Sequence, residues 1–182
     1  MLQLGLFLTG SAMLAWISRA ALRQPRSHGF YRFFAWEAIL ALLVLNVPFW
    51  FVDRFATHQL VSWALLFSSI GVLIAGMTML RRRGKPDRAR TDAALFAFEK
   101  TSTLVTAGIY RYIRHPLYTS LLLLAWGIFF KQIGLASLLC TLIATFFLWL
   151  TARCDEHECL AYFGDAYRQY MRRSKRFIPF VL

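Results

Sequence analysis

The chain has 182 residues, 58% hydrophobic and 16% aromatic, and carries 21 Lys and Arg against 9 Asp and Glu for a formal charge of +12. A mean hydropathy of +0.50, held in long apolar runs, excludes a water-soluble globule and a disordered basic tail, since neither could keep so much apolar surface wetted. Cys140, Cys154 and Cys159 form no even framework and no CxxC pair, which excludes a disulfide-stapled secreted fold.

A helix that crosses the hydrocarbon core of about 30 Å needs about 20 mostly apolar residues. The first such stretch covers residues 2–22; no basic residue precedes it, so it reads as a retained span and not as a secretory signal. The second, 33–52, holds Glu37 near one end and Asn46, Val47 and Pro48 near the other. An acid inside a membrane is a functional candidate, although Glu37 lies about one turn from an end and could reach water. The third, 59–80, contains Gly71 and Ala75 at small-residue spacing, with Gly76 beside them, which suits a close helix neighbour.

A polar stretch follows at 81–114, and apolar character returns as two arms, 117–130 and 133–152, joined by Lys131 and Gln132. They read as a helical hairpin whose first arm, roughly 21 Å long at ~1.5 Å per residue, is short for a full crossing. The tail from Asp155 to Leu182 is polar and amphipathic. The expected fold is an all-α integral membrane protein, a single membrane domain over 1–182. It has about five transmembrane helices, the last two a hairpin, plus a cytosolic amphipathic C-terminal helix. Its parts are three N-terminal spans in 1–80, a cytosolic loop at 81–116, the hairpin at 117–152 and a cytosolic segment at 153–182.

Basic residues accumulate on the cytoplasmic side of a membrane. The first loop holds four of them, residues 81–114 hold nine and the tail from Arg153 holds six, whereas Arg54 and Lys131 stand alone in the other two loops. The N-terminus is therefore expected outside and the tail in the cytoplasm. The charge is accounted for by topology, and no basic soluble domain suggests a nucleic-acid partner. No obligate protein partner is evident. No GxGxxG or phosphate-loop motif occurs, so a Rossmann domain is not expected.

Reactive side chains gather in two segments that bracket the hairpin. In residues 104–118, Pro116 suits the first turn of a helix and biases His115 away from helical geometry. Arg111, Arg114 and His115 would then sit at a helix N-terminus just inside the membrane surface, where free N–H groups and guanidinium charge make an anion site. The plainer reading of the same residues is an interfacial anchor of snorkelling arginines and belt tyrosines. In residues 153–170, helical spacing puts Arg153, Glu156, Leu160, Phe163 and Tyr167 on one face. Glu156, turned inward, could hold a cationic amine or steer a proton; otherwise this is a solvated acidic face. Cys154, His157 and Cys159 match no ligand spacing, and no metal site is expected.

Gly108-Ile-Tyr110, then Arg114-His-Pro-Leu-Tyr118, then Asp155-Glu156 followed by Phe163-Gly-Asp-Ala-Tyr167 and Arg176-Phe-Ile-Pro179, resemble the integral-membrane methyltransferases, which include isoprenylcysteine carboxyl methyltransferase and the phospholipid N-methyltransferases. The resemblance covers roughly residues 100–180. It implies an S-adenosylmethionine-dependent enzyme with a cytosol-facing cofactor pocket built from the last spans and the C-terminal segment. Leu104, Val105, Gly108 and Tyr110 would border the cofactor, and His115 and Tyr118 would close one side. Glu156, matching the second acid of the family's Glu-Glu pair, would contact the cofactor or the reacting centre. Arg114 would meet a carboxylate of cofactor or substrate, so Arg114 and Glu156 are the catalytic candidates. The chain departs from the family at Ser120, where Gly is frequent, at Asp155 in place of Glu, and at Ser174-Lys175 in place of Val-Pro.

The function so implied is methyl transfer to a lipid or lipid-like acceptor at the cytosolic membrane face, the acceptor entering sideways between helices. Its nucleophile, amine, carboxylate or thiol, stays open. The C-terminal half also resembles sterol-type lipid reductases, which use NADPH, through Arg153, Asp155-Glu156, Cys159 and Phe163-Gly164, but it departs from them at Leu117, Ser120-Leu121 and Tyr167. A third reading is a non-enzymatic basic membrane subunit whose loops bind anionic lipid or a partner.

Overall fold

The computed structural model describes residues 1–85 and 101–179, so residues 86–100 of the expected cytosolic loop and the last three of the tail lie outside the described residues. Among the described residues there are six α-helices: α1 (Leu2–Leu22), α2 (His28–Asn46), α3 (Thr57–Arg83), α4 (Pro116–Phe129), α5 (Leu135–Phe163) and α6 (Asp165–Arg173). Single 3-10 turns occupy Val47–Phe49 and Gly108–Arg111. α1, α2, α3 and α5 are long and apolar enough to cross a membrane, whereas α4 has 14 residues. The bundle is thus four long spans and one short arm, and α4 and α5 form the expected hairpin.

Two boundaries differ from the hydropathy pattern, each for a polar reason. α2 starts at His28 because Ser27 caps it, its hydroxyl accepting from the Phe30 amide at 3.1 Å. The His28 amide finds its partner on α5, donating to Glu158 at 2.9 Å. α5 runs past Ala152 to Phe163, 29 residues in all. That is about 43 Å of helix against a core of about 30 Å, so its last turns stand clear of the hydrocarbon. Gly164 ends it at φ +57, a conformation open to glycine. The acidic pair therefore rides on a rigid extension of the last span. Tyr167 does not continue the face of Glu156, Leu160 and Phe163 but arrives from α6. Arg153 is exposed, with its guanidinium 4.9 Å from the Trp149 ring.

The core sits where α2, α3, α4 and α5 meet, around Ile39, Leu42, Leu66, Ala125, Ile128 and Ala144. α3 is fastened to α4 by hydroxyls that donate to backbone carbonyls, Ser62 to Gly127 at 2.7 Å and Ser69 to Ser120 at 2.8 Å. Of Gly71, Ala75 and Gly76, where a close approach is expected, it falls at Gly76, where an added Cβ would lie 3.1 Å from Pro116. Gly71 faces open space, and Ala75 is exposed. Ser120 is buried and satisfied, its hydroxyl donating to the Leu117 carbonyl at 2.7 Å. Glu37 turns towards α1 and accepts from Ser11 at 2.6 Å. Leucines, phenylalanines and tryptophans cover the outer faces of α1, α3 and α5, as a lipid surround requires.

Candidate active site

After α6 the chain returns to the turn that precedes α4 and pairs with it as one parallel bridge, Ile113 with Lys175. The Arg114 amide donates to the Lys175 carbonyl at 2.7 Å, the His115 amide to Arg176 at 3.2 Å and the Lys175 amide to Tyr112 at 2.9 Å. Thr119 extends the seam, its hydroxyl donating to the Phe177 carbonyl at 3.1 Å. Pro116 is the first residue of α4, and His115 stands outside the helix at φ −121, ψ 61, as a residue before proline does.

This seam gathers charge around Glu156, which is 4% exposed. Arg114 donates to its Oε1 through Nε at 2.9 Å, and Arg176 holds it with Nε at 3.1 Å and Nη2 at 2.6 Å. His115 Nε2 lies 3.3 Å away on the same carboxylate. Arg114 also donates Nη1 to the carbonyls of Met171 and Ser174, which ties α6 into the cluster. A carboxylate this deep would not stay ionised alone; two guanidinium groups in hydrogen-bonding geometry offset its desolvation. Burial pushes the His115 imidazolium towards neutrality, but hydrogen bonds and charge from Asp155 and Glu156 outweigh it, so His115 titrates above its ordinary value.

Beside the cluster lies a cavity of about 120 Å³, lined by His28, Leu80, Thr101, Leu104, Val105, Tyr110, Arg114, His115, Pro116, Leu117, Tyr118, Asp155, Cys159, Phe163, Tyr167 and Tyr170. Six of the residues nominated from sequence meet there: Leu104, Val105, Tyr110, Arg114, His115 and Tyr118. Gly108 and Glu156 are outside the lining. Gly108, at φ +61, turns the chain into the 3-10 segment that presents Tyr110, and an added Cβ would meet Met79 at 2.8 Å. Glu156 stands behind Arg114, and Asp155 takes the place on the cavity wall. Asp155 accepts from the Tyr118 hydroxyl at 3.1 Å, and the Tyr118 ring stacks on His115 at 5.3 Å. The carboxylate that Arg114 meets is the chain's own Glu156.

Four contributors carried no local signal strong enough to nominate them. His28, fully buried on α2, places Nδ1 2.6 Å from Glu158 and reaches the cavity from the N-terminal spans. Tyr170 donates to the Tyr110 carbonyl at 2.7 Å. Burial raises the Tyr167 and Tyr170 phenols, which therefore stay protonated. Arg176 and Asp155 appeared in the sequence only as parts of a motif.

A second, larger concavity of about 1060 Å³ lies between α4 and α5 and ends on the C-terminal segment. Its walls are Leu122, Leu123, Trp126, Phe130, Leu142, Phe146 and Trp149, and its end at the C-terminal segment is formed by Arg114, Arg172, Lys175 and Arg176. Arg114 lines both spaces.

Residues 66–166, more than half of the chain, match the family model for phospholipid methyltransferase. The chain belongs to that family. It is also similar to the protein-S-isoprenylcysteine O-methyltransferase of Schizosaccharomyces pombe, 35% identical over 86 residues that cover 45% of this chain and 35% of the relative. Methanethiol S-methyltransferase 1 of Bradyrhizobium diazoefficiens is 30% identical over 71 residues, covering 39% of this chain and 24% of the relative. A probable protein-S-isoprenylcysteine O-methyltransferase of Oryza sativa subsp. indica is 31% identical over 98 residues, 52% of this chain and 50% of the relative. The chain thus spans half or less of the length of these curated relatives. No solved structure matches it.

Proposed function

We propose that this protein transfers a methyl group from S-adenosylmethionine to a lipid or lipid-like acceptor at the cytosolic face of its membrane. The observation that carries this reading is the wall shared at Arg114 between a cavity that holds Asp155 and His115 and an apolar groove, since cofactor and acceptor must meet there although one comes from water and the other from lipid. Family membership supports the reaction class.

The donor set suits the cofactor. Asp155 presents a carboxylate to a cationic ligand, the α4 N-terminus presents backbone N–H groups to an anionic one, and Tyr110, Tyr118, Tyr167 and Phe163 offer aromatic walls for a purine. The cavity volume is below the ~300 Å³ usual for a site that encloses a small ligand, so binding requires these walls to part. Bound S-adenosylmethionine supplies an electrophilic methyl on a sulfonium. The protein's share is placement: two reactants held at attack distance gain about 7–11 kcal/mol in favourable cases. Leu104 and Val105 exclude water from one side, Tyr118 and His115 fix Asp155, and Glu156 holds Arg114 at the boundary between the two spaces. In this reading Glu156 acts as a positioning residue, and His115, Tyr118 and Asp155 touch the cofactor. The N-terminus lies outside and the cavity opens to the cytoplasm, in line with the distribution of basic residues.

Calorimetric titration of the detergent-purified protein with S-adenosylhomocysteine, followed by transfer of labelled methyl into a membrane lipid extract, tests the proposal. Binding and a labelled lipid are expected. No binding, or label found only in a water-soluble product, overturns it.

A further inference from the structure

His28 is the first residue of α2, and Glu158 on the α5 extension engages it twice. One carboxylate oxygen accepts from the His28 backbone amide at 2.9 Å, and the other lies 2.6 Å from Nδ1 of the ring. The amide contact alone would dock α2 on α5. The second oxygen fixes the ring, which is fully buried and forms part of the cavity wall. The Glu158 side chain is 32% exposed, so the pair runs from the cavity towards water. His28 also lies outside residues 66–166, the segment that matches the family model.

An imidazole held through Nδ1 by a carboxylate keeps its proton there and acts as a base at Nε2, and the carboxylate stabilises the imidazolium that forms. The other titratable groups around this ring are unsuited to that task near neutral pH. Burial works to raise the Asp155 carboxyl, but the hydrogen bond from His115 and the charge of His28 hold it well below the usual carboxylate range. His115 stands between Asp155 and Glu156, which keep its proton on. The Cys159 thiol donates to Asp155 at 3.5 Å. Cys154, 3.6 Å from Glu158, is pushed up to about 12 by burial and by that carboxylate. Tyr110, Tyr118, Tyr167 and Tyr170 carry phenols, which ionise only from about pH 10 upwards, and the Arg114 guanidinium stays charged.

We infer that His28 is the general base of methyl transfer, taking at Nε2 the proton of an acceptor nucleophile that carries one, with Glu158 as its positioning partner. This rests on the methyltransferase reading. The nucleophile's lone pair forms the new bond to the methyl carbon, the carbon–sulfur bond breaks with its electron pair left on sulfur, and the nucleophile's proton passes to His28. The imidazolium, balanced by Glu158, loses that proton to water when the cavity walls part for product release.

The detergent-purified full-length protein, labelled with nitrogen-15 histidine, is titrated with acid and base by NMR, the His28 signal being the one missing from H28Q. Labelled-methyl transfer from S-adenosylmethionine into a total membrane lipid extract is followed between about pH 5 and 8. The rate is expected to rise with pH, with a midpoint that coincides with that of the His28 ring. E158Q should lower both midpoints together, by about tenfold or more in proton affinity. H28Q should bind S-adenosylhomocysteine but transfer about 100-fold more slowly or worse. A clamp that served only to pack α2 on α5 would change the melting temperature and leave the pH profile in place. A wild-type rate independent of pH over that range, an E158Q midpoint that moves in the NMR titration and not in the rate, or transfer by H28Q within about tenfold of wild type overturns the inference. Should H28Q fail to bind S-adenosylhomocysteine, the wild-type profile and E158Q decide. Absence of transfer by the wild type removes the methyltransferase reading and this inference with it, whereas transfer that ignores His28 removes this inference alone.

Discussion

Arg114 and Glu156 lie 42 residues apart in sequence, and their side chains meet at 2.9 Å with 8% and 6% exposure. The pair joins the turn before α4 to the extension of α5, and Arg176 closes it from the C-terminal segment. Breaking one side of a buried ion pair costs more than the pair contributes, because the partner is left charged and dry.

Glu156→Gln keeps the shape and removes the charge, leaving Arg114 and Arg176 facing each other. The variant should lose about 3–5 kcal/mol of stability and, through displacement of the α4 turn, about 100-fold or more in methyl transfer. Adding Arg176→Gln should recover part of the melting temperature and none of the activity. Equal stability of Glu156→Gln and wild type would show that the cluster is not held by charge.

His115 is held above its ordinary value of 6.5 by the two carboxylates around it. A raised folded-state value means that the imidazolium stabilises fully below about pH 6.5 and that this contribution disappears as pH rises through the folded-state value. Melting curves of wild type and His115→Gln should therefore differ most in acid and converge towards a constant packing offset in alkali. A gap independent of pH would contradict the charged state.

Gly76 and Gly71 lie on the same helix and are expected to respond in opposite ways. Gly76→Val drives a side chain into Pro116 and Leu117, which should cost about 1–3 kcal/mol and weaken S-adenosylhomocysteine binding, because the displaced turn carries His115. Gly71→Ala meets nothing within 4 Å and should be neutral or stabilising by up to about 1 kcal/mol through helix propensity. Thermal melting with calorimetry on both variants checks the contrast.

At the opposite end of the bundle Lys131 is 2% exposed, with Nζ 3.0 Å from Gln59 Oε1 and 3.5 Å from the centre of the Trp63 ring. Lys131→Ala should lose about 2–5 kcal/mol through the vacated volume. Lys131→Met, which keeps the stem, should lose less, about 1–3 kcal/mol, from the unsatisfied amide and the lost cation–π contact. Affinity for S-adenosylhomocysteine should be unchanged in Lys131→Met, since the length of α4 separates Lys131 from the cavity. A parallel fall in affinity would mean that the two ends are coupled.

The sequence by itself determined the lipid surround, the span positions, the short first arm of the hairpin and the two polar segments. Hydropathy and the geometry of Pro116 are local properties that need no partner to be read. The same pattern put the start of α2 five residues late, ended α5 too early and left Gly71, Ala75 and Gly76 equally eligible for the close helix contact. The groups that settle those points, Glu158 for the His28 amide and Pro116 for Gly76, are distant in the chain. Only the tertiary structure decided that Asp155, and not Glu156, faces the cavity, that His28 joins it from α2, and that Arg176 completes the ion cluster. A carboxylate's orientation on a helix follows from which cations the rest of the fold brings within 3 Å, and side-chain spacing along one segment does not contain that information.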